Sequence, residues 1–185
     1  MAGMHWAKSE IARLVGPQDV KGSLAEVLKG ADVFIGLSSG GLVTREMVES
    51  MAPAPIVFAL SNPAPEIHPD LAKQGGAAVI ATGRSDFPNQ VNNCLAFPGI
   101  FRGALDAKAR TINEEMNVAA AHAIADLVGN DLSPGYILPG AMDFRVPPAV
   151  AQAAMATGTA RIQLKTERVA RHTREFIYDE RLSLL

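Results

Sequence analysis

Apolar and polar positions along this chain fall into short blocks. Three apolar blocks stand out: 31–37 (ADVFIGL), 55–60 (PIVFAL) and 77–81 (AAVIA). They are rich in β-branched and aromatic residues or flanked by turn formers, so each is predicted as a buried strand. Helical signals lie between them. Ser23 reads as an N-cap with Glu26 three residues on, and the short helix 24–29 stops at Gly30. Thr44 caps a helix running to Met51. Pro69 suits the first turn of a helix over 69–74, which ends at Gly75-Gly76. Strands spaced by short helices imply a parallel sheet with right-handed crossovers.

The remainder reads as helical. A polar loop, 82–93, leads to an apolar segment, 94–107, which Pro98 is expected to bend. The Ala-rich stretch 113–127 is a good helix former, with Glu114 and Glu115 at its dipole-favoured start. Val118, Ala121, Ile124, Ala125 and Val128 share one face, which is expected to cover the sheet, with His122 near it as a structural histidine. Tyr136 to Pro139 reads as a short extended piece. Pro147 and Pro148 lead into a helix over 149–155 that Gly158 closes. The segment 164–178 is a charged amphipathic helix lying on the body or on a neighbouring subunit. At the other end, 5–15 has weak helical periodicity that Gly16-Pro17 breaks, and Trp6 is expected to pack on the body or on a partner chain. The fold class is α/β: a partial doubly wound (Rossmann-like) parallel sheet with flanking helices and a C-terminal helical tail.

Composition narrows the function classes. The 185 residues are 48% hydrophobic and 19% charged, enough apolar content for a packed core. A net charge of −2 with no basic stripe argues against nucleic-acid binding. The apolar runs are too short for a membrane span, and the first ten residues carry no secretory h-region. A single cysteine, Cys94, fits a reducing compartment, so cytoplasm is expected.

Candidate chemistry sits in the loops after the apolar blocks. Ligands in open α/β sheets bind beyond the carboxyl ends of the strands. Ser38-Ser39-Gly40-Gly41 follows the first block, and its small residues allow backbone to approach a ligand. A plain tight turn is the alternative. Asn62 follows the second block, and Pro63 drives it out of helical dihedrals. Asn92 and Asn93 precede the apolar helix. They are either a cap and a turn, or uncharged donors and acceptors beside a helix start that suits a carboxylate or phosphate. Arg84 and Asp86 form a surface pair or brace the loop carrying Asn92. No G-x-G-x-x-G or phosphate-loop motif is present, and the four histidines show no metal-ligand spacing.

GRSDFPNQVNN at 83–93, followed by LAFPGIFRGALD at 95–106, resembles the C-terminal part of the bacterial-type malic enzymes. FALSNP at 58–63 and INEEM at 112–116 resemble the same family in the same order, and the likeness runs from about Lys8 to about Arg161. That family oxidises malate by hydride transfer to NAD or NADP, then decarboxylates bound oxaloacetate with Mg²⁺ or Mn²⁺. The resemblance implies that Asn62, Asn92 and Asn93 bind malate or pyruvate. It implies that Ser38, Ser39 and Gly40, with Asn62 and Asn92, line the cofactor cleft, although the family's commoner pattern has a proline near Gly40. The family's Tyr and Lys acid–base pair and its Glu and Asp metal ligands lie upstream of the matched region. Residues 1–160 then correspond to the C-terminal half of the cofactor domain and 161–185 to a helical tail. The isolated chain is expected to be inactive and the full-length enzyme homo-oligomeric. Two alternatives stand: a non-catalytic truncated paralogue acting as an association module, or a dehydrogenase-like domain for another small organic acid.

Overall fold

The structure is a computed structural model that describes residues 5–15, 22–140 and 145–178. The three apolar blocks form one parallel sheet of β1 (Val33–Gly36), β2 (Ile56–Ala59) and β3 (Val79–Thr82), in the order β1-β2-β3. Val33, Ile56 and Val79 share one end of the register, and Gly36, Ala59 and Thr82 the other. All three carboxyl ends therefore open at the same edge.

After α1 (Trp6–Val15), the helices α2 (Leu24–Leu28), α3 (Arg45–Glu49) and α4 (Pro69–Gln74) begin where their caps predict. Ser23 and Glu26 close a reciprocal capping box, with the Ser23 N–H donating to Glu26 Oε2 at 2.7 Å. These backbone and hydroxyl donations from Ser23 hold the Glu26 carboxyl below its ordinary range. Thr44 Oγ1 accepts from the Met47 N–H at 3.3 Å. The helices cover one sheet face, where Val48, Val57, Ala59, Ile67 and Ala72 are buried with Phe34 and Ile80 against them.

The opposite face of β1 differs from expectation. Val33, Ile35 and Leu37 are 47, 59 and 78% exposed, although the block reads as a buried strand. Parallel sheets are normally covered on both faces, and the described residues supply only one layer over β1. Nor, among the described residues, does Trp6 pack on the body: it is 72% exposed, with the tilted His5 ring at 5.7 Å. Gly16-Pro17, the expected break after α1, lies outside the described residues.

A second layer consists of α5 (Phe97–Asp106), α6 (Glu114–Asp126), α7 (Val146–Ala156) and α8 (Thr166–Tyr178), packed around Met116, Ala120, Ile124, Val150 and Val169. Two glycines on one face of α5 let it approach α7. A Cβ on Gly103 would stand 2.5 Å from Pro147 O, and one on Gly99 2.8 Å from Val146 Cβ. Helix α6 packs on α7, not on the sheet. Its buried stripe is Met116, Ala120 and Ile124, while Ala121, His122 and Ala125 are exposed and Val118 is 47% exposed. Alanine on every side leaves the helical phase weakly specified, and the large Met116 sets it. The 94–107 segment also differs. One 3₁₀ turn, Asn93–Leu95, precedes α5, so Pro98 falls in the first helical turn, where its missing N–H disturbs nothing. Around 136–139 there is no strand, only an isolated antiparallel bridge between Ser133 and Tyr136. Helix α8 lies on α5 and α7, burying Val169 and Thr173. There Arg102 and His172 meet at Asp106, with His172 Nδ1 at 3.2 Å.

Asn89 joins the layers. It is 9% exposed and has a φ of 57°. Its Nδ2 donates to Ile80 O at 2.9 Å and to Pro134 O at 2.8 Å, and its Oδ1 accepts from the Ile137 N–H at 3.0 Å. Among the described residues, no helix is long and apolar enough to cross a membrane.

Candidate functional site

Three loops leave the carboxyl edge of the sheet: 37–43 after β1, 60–66 after β2 and 83–92 after β3. The first two are laced together. The Gly41 N–H donates to Pro65 O at 3.0 Å, and the Val43 N–H to Glu66 O at 2.9 Å. Gly40 sits so close that an added Cβ would lie 2.7 Å from the Ala64 Cβ. The small residues of 38–41 thus serve first to seat this loop on its neighbour. The Ser38, Ser39 and Gly40 positions remain exposed.

Asn62 is exposed, and its peptide bond to Pro63 is cis. Its Nδ2 faces Leu60 O at 3.5 Å, a marginal bond that leaves Oδ1 and a second N–H available. Asn92 is half-buried and more firmly held. Its Nδ2 donates to Gly83 O at 3.0 Å, and its Oδ1 accepts from the Cys94 N–H at 3.1 Å. One N–H and one lone pair remain for a ligand. Gly83 is the meeting point of the two amides. A Cβ there would stand 2.9 Å from Asn62 Nδ2, while its carbonyl takes Asn92. Asn93 is exposed, and its side chain makes no hydrogen bond among the described residues.

The anion-binding helix start expected beside Asn92 is displaced. Helix α5 begins at Phe97, and only the single turn Asn93–Leu95 lies at the site. A single turn aligns few peptide dipoles. Arg84 lies in the loop that carries Asn92 and braces it against the Asn62 turn. Its Nη1 donates to Pro63 O at 3.2 Å, while Nε and Nη2 hold Asp86 at 2.8 and 2.6 Å. The guanidinium also lies over the Phe87 ring, 5.6 Å from its centroid. Hydrogen bonding from Arg84 keeps the Asp86 carboxyl below its ordinary range, and Asp86 in turn raises Arg84.

Sequence reasoning missed Glu66, which is fully buried. Its Oε1 accepts from the Ser38 N–H at 3.0 Å and its Oε2 from the Ser61 N–H at 3.1 Å. The only sequence signal was an acid between Pro65 and Ile67, just past a strand. Gly83 and Asn89 were missed as well, since neither residue type announces a contact.

The matching family model is that of the malic enzyme NAD-binding domain, over residues 5–157. The chain belongs to the malic enzyme family. It is 56% identical to the bifunctional malic/malolactic enzyme of Bacillus subtilis over 178 residues, covering 94% of this chain and 43% of that protein. The NAD-dependent malic enzyme of Geobacillus stearothermophilus is 55% identical over 162 residues, covering 85% and 33%. The crystal structure of the malic enzyme from Pyrococcus horikoshii superposes with a TM-score of 0.80 at 47% identity, covering 86% of this chain and 38% of that one. The chain thus spans well under half the length of these malic enzymes. The parallel α/β architecture read from the strand pattern agrees with these relatives.

Proposed function

We propose that this chain supplies the second half of the cofactor domain (1–160) and the C-terminal tail (161–185) of an enzyme that oxidises malate with NAD or NADP and releases pyruvate and carbon dioxide. One observation carries the reading: Asn62 and Asn92 converge on Gly83 at the carboxyl edge of the sheet. Both amides keep donors and acceptors for a carboxylate on one side and a carboxamide on the other. Asn93 adds an uncommitted amide beside them. The loop Ser38, Ser39, Gly40 offers backbone to the dinucleotide. Cofactor preference belongs to the residues that read the ribose, outside the matched half.

NAD or NADP, when bound, accepts the hydride. The divalent Mg²⁺ or Mn²⁺ implied by the family has no ligand set here: among the described residues, no three His, Cys, Asp or Glu side chains come together. The role proposed for these residues is to bind and orient, and, because the family's acid–base pair and metal ligands lie upstream of the matched region, the chain alone is expected to be inactive. Incubation with malate, Mn²⁺ and NAD or NADP should give no reduced nicotinamide above background, and turnover would refute the assignment. Side-chain amide resonances of Asn62, Asn92 and Asn93 should shift on titration with malate or pyruvate and NADH. Cytoplasm is the proposed compartment and homo-oligomer the proposed full-length state.

A second reading is an association module. The bare β1 face of Val33, Ile35 and Leu37 favours it. Light scattering should then show a concentration-dependent rise in mass, whereas a stable monomer would count against it.

A further inference from the structure

We propose that Glu66 is a positioning residue that sets the width of the ligand crevice between the first two strand exits. This rests on the reading that those loops face the nicotinamide and the acid. The last rung of the β1–β2 ladder is the Leu60 N–H donating to Gly36 O at 3.0 Å. Gly36 pairs with Ala59, so continuing the register would pair Ser38 with Ser61. There the chains part, and the Glu66 carboxylate stands between them. One oxygen takes the Ser38 N–H at 3.0 Å and the other the Ser61 N–H at 3.1 Å.

The carboxylate therefore substitutes for a missing rung. Its breadth fixes how far the cofactor loop stands from the turn carrying Asn62. Its own backbone is tied to the first loop through the Val43 N–H, so the wedge cannot slide. Gly36 leaves the room it occupies: a Cβ there would lie 2.7 Å from Glu66 Oε1. Both partners are backbone donors, so the site needs two acceptors at one spacing. Glutamine supplies one acceptor and turns a donor toward a donor. Aspartate keeps both acceptors on a shorter arm.

The test uses the whole chain, isotopically labelled. In E66Q, amide hydrogen exchange at 38–43 and 61–66 should accelerate at least tenfold, while exchange in α5–α8 stays as in wild type. E66D should recover part of the lost protection. NADH titration followed by nicotinamide fluorescence should show roughly tenfold weaker binding for E66Q, with E66D intermediate. Unchanged exchange at Ser38 and Ser61 would overturn the proposal. So would acceleration spread evenly over both layers, the mark of a merely structural role, or full NADH affinity in E66Q. If wild type itself binds neither NADH nor malate, the functional reading fails, and local exchange alone decides the wedge.

Discussion

Substituting Gly36 by alanine tests the strand-exit arrangement by a route that leaves the carboxylate chemically intact. The new Cβ would lie 2.7 Å from Glu66 Oε1 and 2.8 Å from Cγ, inside contact distance. Glu66 is fully buried, so its side chain has no solvent-filled space to enter. Displacing it breaks the bonds from Ser38 and Ser61, at 3.0 and 3.1 Å. Hydrogen bonds to a charged group contribute about 1.5–3 kcal/mol each. Against this, Gly→Ala lowers unfolded-chain entropy and recovers about 0.4–1 kcal/mol. The net expectation is destabilisation by about 2–5 kcal/mol, which for a chain of this size is a fall in Tm of roughly 4–20 °C. Urea denaturation followed by circular dichroism should show a lower midpoint with an unchanged slope. In an E66A background the same substitution should cost little, because the obstructing side chain is gone. A G36A chain within about 0.5 kcal/mol of wild type, or an equal cost in both backgrounds, would refute the reasoning.

Three further outcomes follow from other contacts. Asn89→Ala removes three hydrogen bonds linking β3 to residues 134–137, and at about 1 kcal/mol each should cost roughly 3 kcal/mol in denaturant titration. Gly103→Ala should destabilise by about 1–3 kcal/mol through overpacking, since the new methyl would meet Pro147 O at 2.5 Å. In an exposed helix the same change would stabilise, so the sign of the shift is diagnostic. The Arg84–Asp86 pair holds Asp86 below the ordinary 3.8. Because the folded value is depressed, its contribution is present above pH 3.8 and is lost as pH falls through the lower folded value. Carboxyl NMR of Asp86 should therefore titrate below 3.8 in wild type and return toward it in Arg84→Ala.

Local signals settled a good part of this protein. Ser23 with Glu26, Thr44, and Pro69 before Gly75 marked helix ends correctly, because capping depends on residues within one turn. The apolar blocks located all three strands and, through their spacing, the parallel sheet. Asn62 lies where the second block ends at Pro63, and Asn92 where a polar loop meets an apolar segment; family resemblance is what marked both as site candidates. The tertiary structure alone decided which faces are buried. Alanine on all sides of α6 left its orientation to Met116 and α7. The β1 block carries strand propensity, but burial is a property of the covering layer, and Ile35 is 59% exposed. The site's framework brings Glu66 to Ser38, 28 positions away, and Gly83 to Asn62 on a neighbouring strand exit. Those distances are set by where the strands part, and no periodicity along the chain encodes that.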